Sequence, residues 1–299
     1  MEQMTRTIYA ASLQTSLFVN LPPPIPANST LNERFAILAG TLPTAGNPPK
    51  CAYYSLGNGG HTFTVGANGI PMPEPVQHRA TDAAAYKPIP FVMRLPTNDL
   101  TTAEQANYCL RRIETWQGQN YVCYYGKRID FTGVTVNQYY KTVDPTTGNV
   151  TTTAFVPDSS NLNPTPPDLS STGVNVTTGD YVSADCQLDL SLSASDCTEL
   201  LNVGQIMFGD PNAAIVSEVL LCSGVDYPTN VQSGVGNGTF VFTDAIAMQV
   251  MTFVDAFAPI NFLNNGVDII LDVGATEPLL NLSGNTSTVT SSTGSTSGS

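Results

Sequence analysis

Polar and apolar residues alternate most regularly over residues 181–192, where Val182, Ala184, Cys186, Leu188, Leu190 and Leu192 fall on one face and Ser183, Asp185, Gln187, Asp189 and Ser191 on the other. A period of two is the signature of a half-buried strand. Shorter alternating runs at 112–116 and 121–127 flank Gln117-Gly118-Gln119-Asn120, and 134–143 and 150–156 flank Pro145-Thr146-Thr147-Gly148. Each pair predicts a β-hairpin. Residues 213–225 and 240–242 read as strands, 227–237 as a turn-rich loop, and Asn264-Asn265-Gly266 as a turn into a strand over 267–273. A short strand is expected around 61–65, between Gly57-Asn58-Gly59-Gly60 and Gly66-Ala67-Asn68-Gly69.

Helical spacing is confined to three places. Thr101 and Glu104 form a capping box that starts a helix running to about Arg111. Ser195 caps a helix buried through Leu200, Leu201, Val203, Ile206 and Met207 and ended by Gly209-Asp210-Pro211. Thr243 caps a third, in which Ile246, Val250, Val254 and Phe257 share a face.

The fold expected is therefore α+β and β-rich, with antiparallel, sandwich-like sheets and two or three short helices. An extended N-terminal arm and a flexible C-terminal tail flank it. Residues 1–85 are rich in loops and proline, and Leu21-Pro22-Pro23-Pro24-Ile25-Pro26 cannot be helix or central strand. Residues 86–281 form the core, with a division into two lobes possible at the proline-rich stretch 157–172. Residues 282–299 are almost wholly Ser, Thr and Gly and are expected to stay disordered.

Composition supports this picture. Charged residues are 12% of the chain, with 24 Gly and 22 Pro, which suits strands joined by many turns. Charge is unevenly spread: all 11 Lys and Arg lie at or before Lys141, while the net charge is −13. The second half has no cation of its own and would repel nucleic acid. Its carboxylates must meet water, cations or a basic surface. The first half offers one in Lys87, Arg94, Arg111, Arg112, Lys127, Arg128 and Lys141, interleaved with Tyr108, Trp116, Tyr121, Tyr124 and Tyr125. Head-to-tail contact between copies is the expectation drawn from that asymmetry, with pairing inside one chain the alternative.

Candidate chemistry is sparse. His61 and His78 are the only histidines, and no nucleophile motif accompanies either. Gly234-Val235-Gly236-Asn237-Gly238 lacks the spacing and the lysine of a phosphate loop. Asp185, Asp189 and Asp196, and separately Asp268 and Asp272, are oxygen donors of the kind Ca²⁺ uses, but their spacing matches no EF-hand loop and they read as a solvated acidic face. The six cysteines form no C-x-x-C pair and are expected to be reduced, with Cys109, Cys186 and Cys222 acting as small hydrophobes. No catalytic residue, metal ligand or cofactor is expected. The N-terminus lacks the apolar core of a signal peptide, and no stretch reaches 18 apolar residues.

Three segments, 86–94, 215–226 and 264–280, together resemble structural proteins of tailed-bacteriophage virions. The resemblance implies a non-enzymatic homo-oligomeric subunit, a capsid-decorating or neck/collar component, made in the host cytoplasm. Its partners would be copies of itself and other virion proteins, with no nucleic acid and no membrane. A tail fibre or adhesin, with Trp116, Tyr121, Tyr124 and Tyr125 exposed for a receptor or glycan, is the alternative.

Overall fold

The computed structural model describes residues 3–23, 35, 41–44, 46–144, 146–162, 181–261, 263 and 265–278. The fold class is the one expected, α+β and β-rich, built of antiparallel sheets. The chain divides into two compact units, one of residues 1–130 and 189–270, the other of residues 131–188 and 271–299. The boundaries fall at 130/131, 188/189 and 270/271 rather than near 157–172.

The first unit opens with β1 (Gln3–Arg6) and α1 (Ile8–Phe18), capped by Thr7, whose hydroxyl accepts from the Ala10 amide. It continues through β2 (Lys50–Gly57), the hairpin β3 (His61–Val65) and β4 (Pro71–Pro75), and the short β5 (Pro88–Ile89) and β6 (Val92–Arg94). Next come α2 (Thr102–Gln105), β7 (Tyr108–Trp116) and β8 (Gln119–Arg128). The second unit contributes β9 (Asn137–Val143), β10 (Val150–Ala154), α3 (Ser159–Leu162) and β11 (Tyr181–Asp189). The chain then returns through β12 (Leu192–Ser193), α4 (Ala194–Phe208), β13 (Ile215–Gln232), β14 (Thr239–Pro259) and β15 (Gly266–Val267), and β16 (Ile270–Pro278) is the last strand among the described residues.

The large sheet follows the order β1-β14-β13-β2-β8-β6, with β5 also on β2 and β7 also on β8. The second unit holds a four-stranded sheet, β10-β9-β11-β16. The hairpins foreseen at β7/β8 and β9/β10 are present. The β7/β8 turn places Gln117 and Gly118 at φ 49° and 79°, the pair of positive values a two-residue hairpin turn needs.

Five expectations are corrected. Residues 1–85 are not merely a loose arm, because β2 lies between β13 and β8, with Tyr53, Tyr54 and Leu56 buried. The stretch 243–257 is strand. It pairs with β13 along most of its length and is largely buried on both faces, so apolar residues fall on both and helical spacing arises incidentally. The helix begun at Thr101 has its capping box but stops at Gln105, since Tyr108 onward pairs with β8. Residues 227–232 continue β13 instead of forming a loop. In α4 the capping box is Ser193/Asp196, two residues before the serine expected, while Leu200, Leu201 and Val203 are buried and Gly209 ends the helix at φ 74°. Most of 24–40 and 163–180, Asn264 and the tail 282–299 lie outside the described residues.

Candidate functional site

The β13/β14 ladder carries a register shift between Val216 and Glu218. A bulge of this kind re-aims side chains, and here it stands beside two buried polar residues, Ser217 and Glu218. Glu218 faces Asp255 on β14 and Gly57 on β2 across the sheet. Two carboxylates thus stand side by side in a buried layer. Gly57 makes room for one of them, since a Cβ there would lie 2.3 Å from Glu218 Oε2.

His78 enters this layer from the segment that follows β4. Its Nε2 donates to Glu218 Oε1 at 2.8 Å, and its Nδ1 donates to Asp82 Oδ2 at 3.0 Å. Its backbone N–H donates to Asp255 Oδ2 at 3.2 Å, while Asp255 Oδ1 has no hydrogen-bond partner and lies 3.9 Å from Nε2. The imidazole is sandwiched between Tyr86 and Phe253, with ring centroids 4.0 and 3.7 Å away and interplanar angles of 8° and 13°. Carboxylates at both ring nitrogens require both to carry protons, so the geometry describes an imidazolium. Burial alone would lower the His78 pKa, but the hydrogen bonds to Glu218 and Asp82 and the charges of Glu218 and Asp255 outweigh it and raise the value above 6.5. Asp255 is pushed up by burial, against the pull of the His78 amide and charge, with Glu218 and Asp82 adding to the rise.

Glu218 also gathers backbone. Its Oε2 accepts from the Gly59 amide at 2.7 Å, and its Oε1 accepts from the Tyr86 amide at 2.7 Å. Ser217 Oγ accepts from the Gly60 amide at 3.0 Å. Gly60 cannot carry a side chain, because a Cβ would sit 2.4 Å from the Ser217 carbonyl oxygen. Gly59-Gly60 leads into β3 and His78 follows β4, so both stalks of the β3/β4 hairpin are clasped by neighbouring residues of β13 and β14. The side chains of His78, Glu218 and Asp255 are closed to solvent, so the clasp fixes backbone and offers no open face to a substrate.

Above the clasp the hairpin is exposed and apolar: Phe63, Val65, Ile70 and Met72 are 53%, 70%, 58% and 57% accessible. His61 packs edge-on against Phe63 and Phe257, and burial lowers its pKa. The two histidines should therefore titrate on opposite sides of 6.5. His78 contributes stability that is complete below about pH 6.5 and is lost as pH rises through its raised folded value. His61 works in the other direction, its contribution falling as pH drops through 6.5 toward its lowered value. An NMR titration of the imidazole resonances checks this, and His78 titrating below His61 would refute the clasp as described.

The basic residues of the first half are occupied within the chain. Arg112 meets Asp244 and Lys127 meets Asp196, each at 2.7 Å, Arg128 meets Asp226 at 2.8 Å, and Arg94 meets Glu199. Lys141 meets Asp185 at 2.7 Å in the second unit, and Arg111 meets Asp99. Five of the carboxylates beyond residue 141 are thus paired inside the chain, which favours the intramolecular alternative for these cations. Asp185 and Asp196 are likewise ion-paired and not a solvated face. Among the described residues no group of three or more His, Cys, Asp or Glu is arranged to hold a metal ion, and no disulfide joins the cysteines. Tyr124 and Tyr125 are buried, so the four aromatics expected of an adhesin platform are not together on the surface. No helix among the described residues is long and apolar enough to cross a membrane.

His78 was visible in the sequence only as a lone histidine. Glu218 and Asp255 gave no local signal, because it is the β13/β14 register that brings them together.

Fold and site together define a β-rich protein with an anchored, exposed apolar hairpin. The chain belongs to the family of unknown function DUF7208, whose model matches residues 1–288. No curated protein and no solved structure matches it.

Proposed function

We propose that the chain is a non-enzymatic structural subunit of a larger assembly, and that the assembly is a tailed-phage virion in which it decorates the capsid or forms part of the neck or collar. The observation that carries the assembly reading is the β3/β4 hairpin, which exposes Phe63, Val65, Ile70 and Met72 on stalks held by buried hydrogen bonds. A rigidly presented apolar surface of this kind is a contact surface. The state of His78 supports the non-enzymatic part, since both of its ring nitrogens are taken up by carboxylates in a sealed clasp. The virion setting is supported by the sequence resemblance of 86–94, 215–226 and 264–280.

Light scattering after size exclusion, at low and at high salt, tests the assembly. Because the ion pairs are internal and the exposed surface is apolar, self-association should survive high salt. Oligomers that dissolve in salt would count against the apolar surface. Mass spectrometry of purified particles from a phage encoding the chain tests the setting, which is wrong if the chain is absent from them.

A further inference from the structure

The β3/β4 hairpin has two unlike edges. Proline occupies every second position of β4, at Pro71, Pro73 and Pro75, opposite Val65, Phe63 and His61. The Val76 amide donates to the Gly60 carbonyl and the Gly66 amide to the Ile70 carbonyl. These bonds fix the phase of the ladder: the hydrogen-bonded pairs are 60/76, 62/74, 64/72 and 66/70, and the prolines sit at the pairs between them. The outer edge of β4 therefore has no N–H at 71, 73 or 75 and cannot receive a strand. The outer edge of β3 is the opposite case. The amides and carbonyls of His61, Phe63 and Val65 point away from β4, and no backbone bond from β3 to any strand but β4 is found among the described residues.

We propose that this open edge of β3 pairs with β3 of a second copy, antiparallel, about a two-fold axis through Phe63. The pairing deepens, and rests on, the reading of the chain as an assembly subunit. A strand with free groups at three alternate positions is self-complementary about the middle one: Phe63 faces Phe63 of the partner, and His61 faces Val65 in both senses. All three are hydrogen-bonded pairs, so every outward amide of the edge finds a carbonyl. Thr62 and Thr64 face each other between them, a favourable cross-strand pairing. On the opposite face the two Phe63 rings and the Val65 side chains join into one apolar strip. Charge points the same way. Each chain carries a net −13, so most of its surface repels a copy, yet β3 has no carboxylate or ammonium group. Glu74, on the paired strand β4, is held by the Thr64 hydroxyl at 2.9 Å. The resulting four-stranded ribbon ends on both sides in a proline edge, so growth stops at two copies.

The test is sedimentation equilibrium of the full chain, with hydrogen exchange of the Phe63 and Val65 amides followed over a range of protein concentration. The wild type should dimerise, with protection at both amides rising with concentration. Phe63→Pro removes the central N–H, which the hairpin's own ladder does not use, so the hairpin should persist by circular dichroism while the dimer Kd rises about tenfold or more. Phe63→Ala keeps that N–H, and its dimer should retain amide protection at Val65 even where apolar contact is lost. Association that leaves both amides unprotected and is unchanged by F63P would overturn the edge pairing and leave the assembly reading standing. A monomer at every concentration, with both amides exchanging freely, would overturn the edge pairing, whereas the assembly reading falls only if the chain is also absent from purified particles.

Discussion

Glu218→Ala should lower the unfolding free energy by about 3–5 kcal/mol, the loss typical of removing one partner from a buried charge pair. The estimate rests on what the carboxylate leaves behind: the buried His78 Nε2–H and the part-buried amides of Gly59 and Tyr86 would all lose their acceptor. Urea denaturation measures the loss. A second readout separates the clasp from a general packing effect. Without Glu218, burial becomes the dominant influence on His78, and its pKa should fall, in contrast to the raised value of the wild type. A variant that loses stability while the His78 titration stays in place would show that Glu218 acts only by filling space.

Phe253→Ala should cost a similar amount, about 3–5 kcal/mol, as expected for truncating a fully buried phenylalanine. Its ring lies against His78 on one side and occupies a β14 position between β1 and β13, facing Thr5 and Leu220. Removing it opens a cavity beside the imidazole and frees β1 from its main neighbour. Calorimetry or urea denaturation gives the size of the loss. Hydrogen exchange should show the β1 amides opening first, and a loss below about 1 kcal/mol would mean that the surroundings collapse into the space.

The elements that the sequence made legible were those whose signal is local. The β7/β8 and β9/β10 hairpins announced themselves through short loops between alternating runs, and α4 through its apolar face and terminal glycine. What escaped was set at long range. Residues 243–257 carry apolar side chains on both faces because β14 is covered on both, and a fully covered strand loses the period of two that marks a half-buried one. β2 reads as a short apolar run in a loop-rich region and becomes central only when β13 and β8 flank it. The clasp was invisible for the same reason: His78, Glu218 and Asp255 are far apart in the chain, and a bulge decides which side chains point inward. Likewise, the charge asymmetry was plain in the sequence, but only the folded chain shows which acidic residues the cations reach, with Arg112, Lys127 and Arg128 meeting Asp244, Asp196 and Asp226.

The position of β2 between β13 and β8 has a consequence for how the chain is made. During synthesis β2 leaves the ribosome early, and β8 follows it closely enough to pair. Its other neighbour does not yet exist. Leu56 waits for Val219, and Tyr54 for Leu221, an interval of roughly 10–30 s at usual translation rates. Through that interval one edge of β2 is an unfilled strand template flanked by large apolar side chains. β13 and β14, by contrast, are joined by a short loop and can pair with each other as soon as both emerge. The nascent chain is thus most vulnerable to aggregation just before its last third appears, and the long hairpin arrives as a preformed unit that closes the sheet in one step.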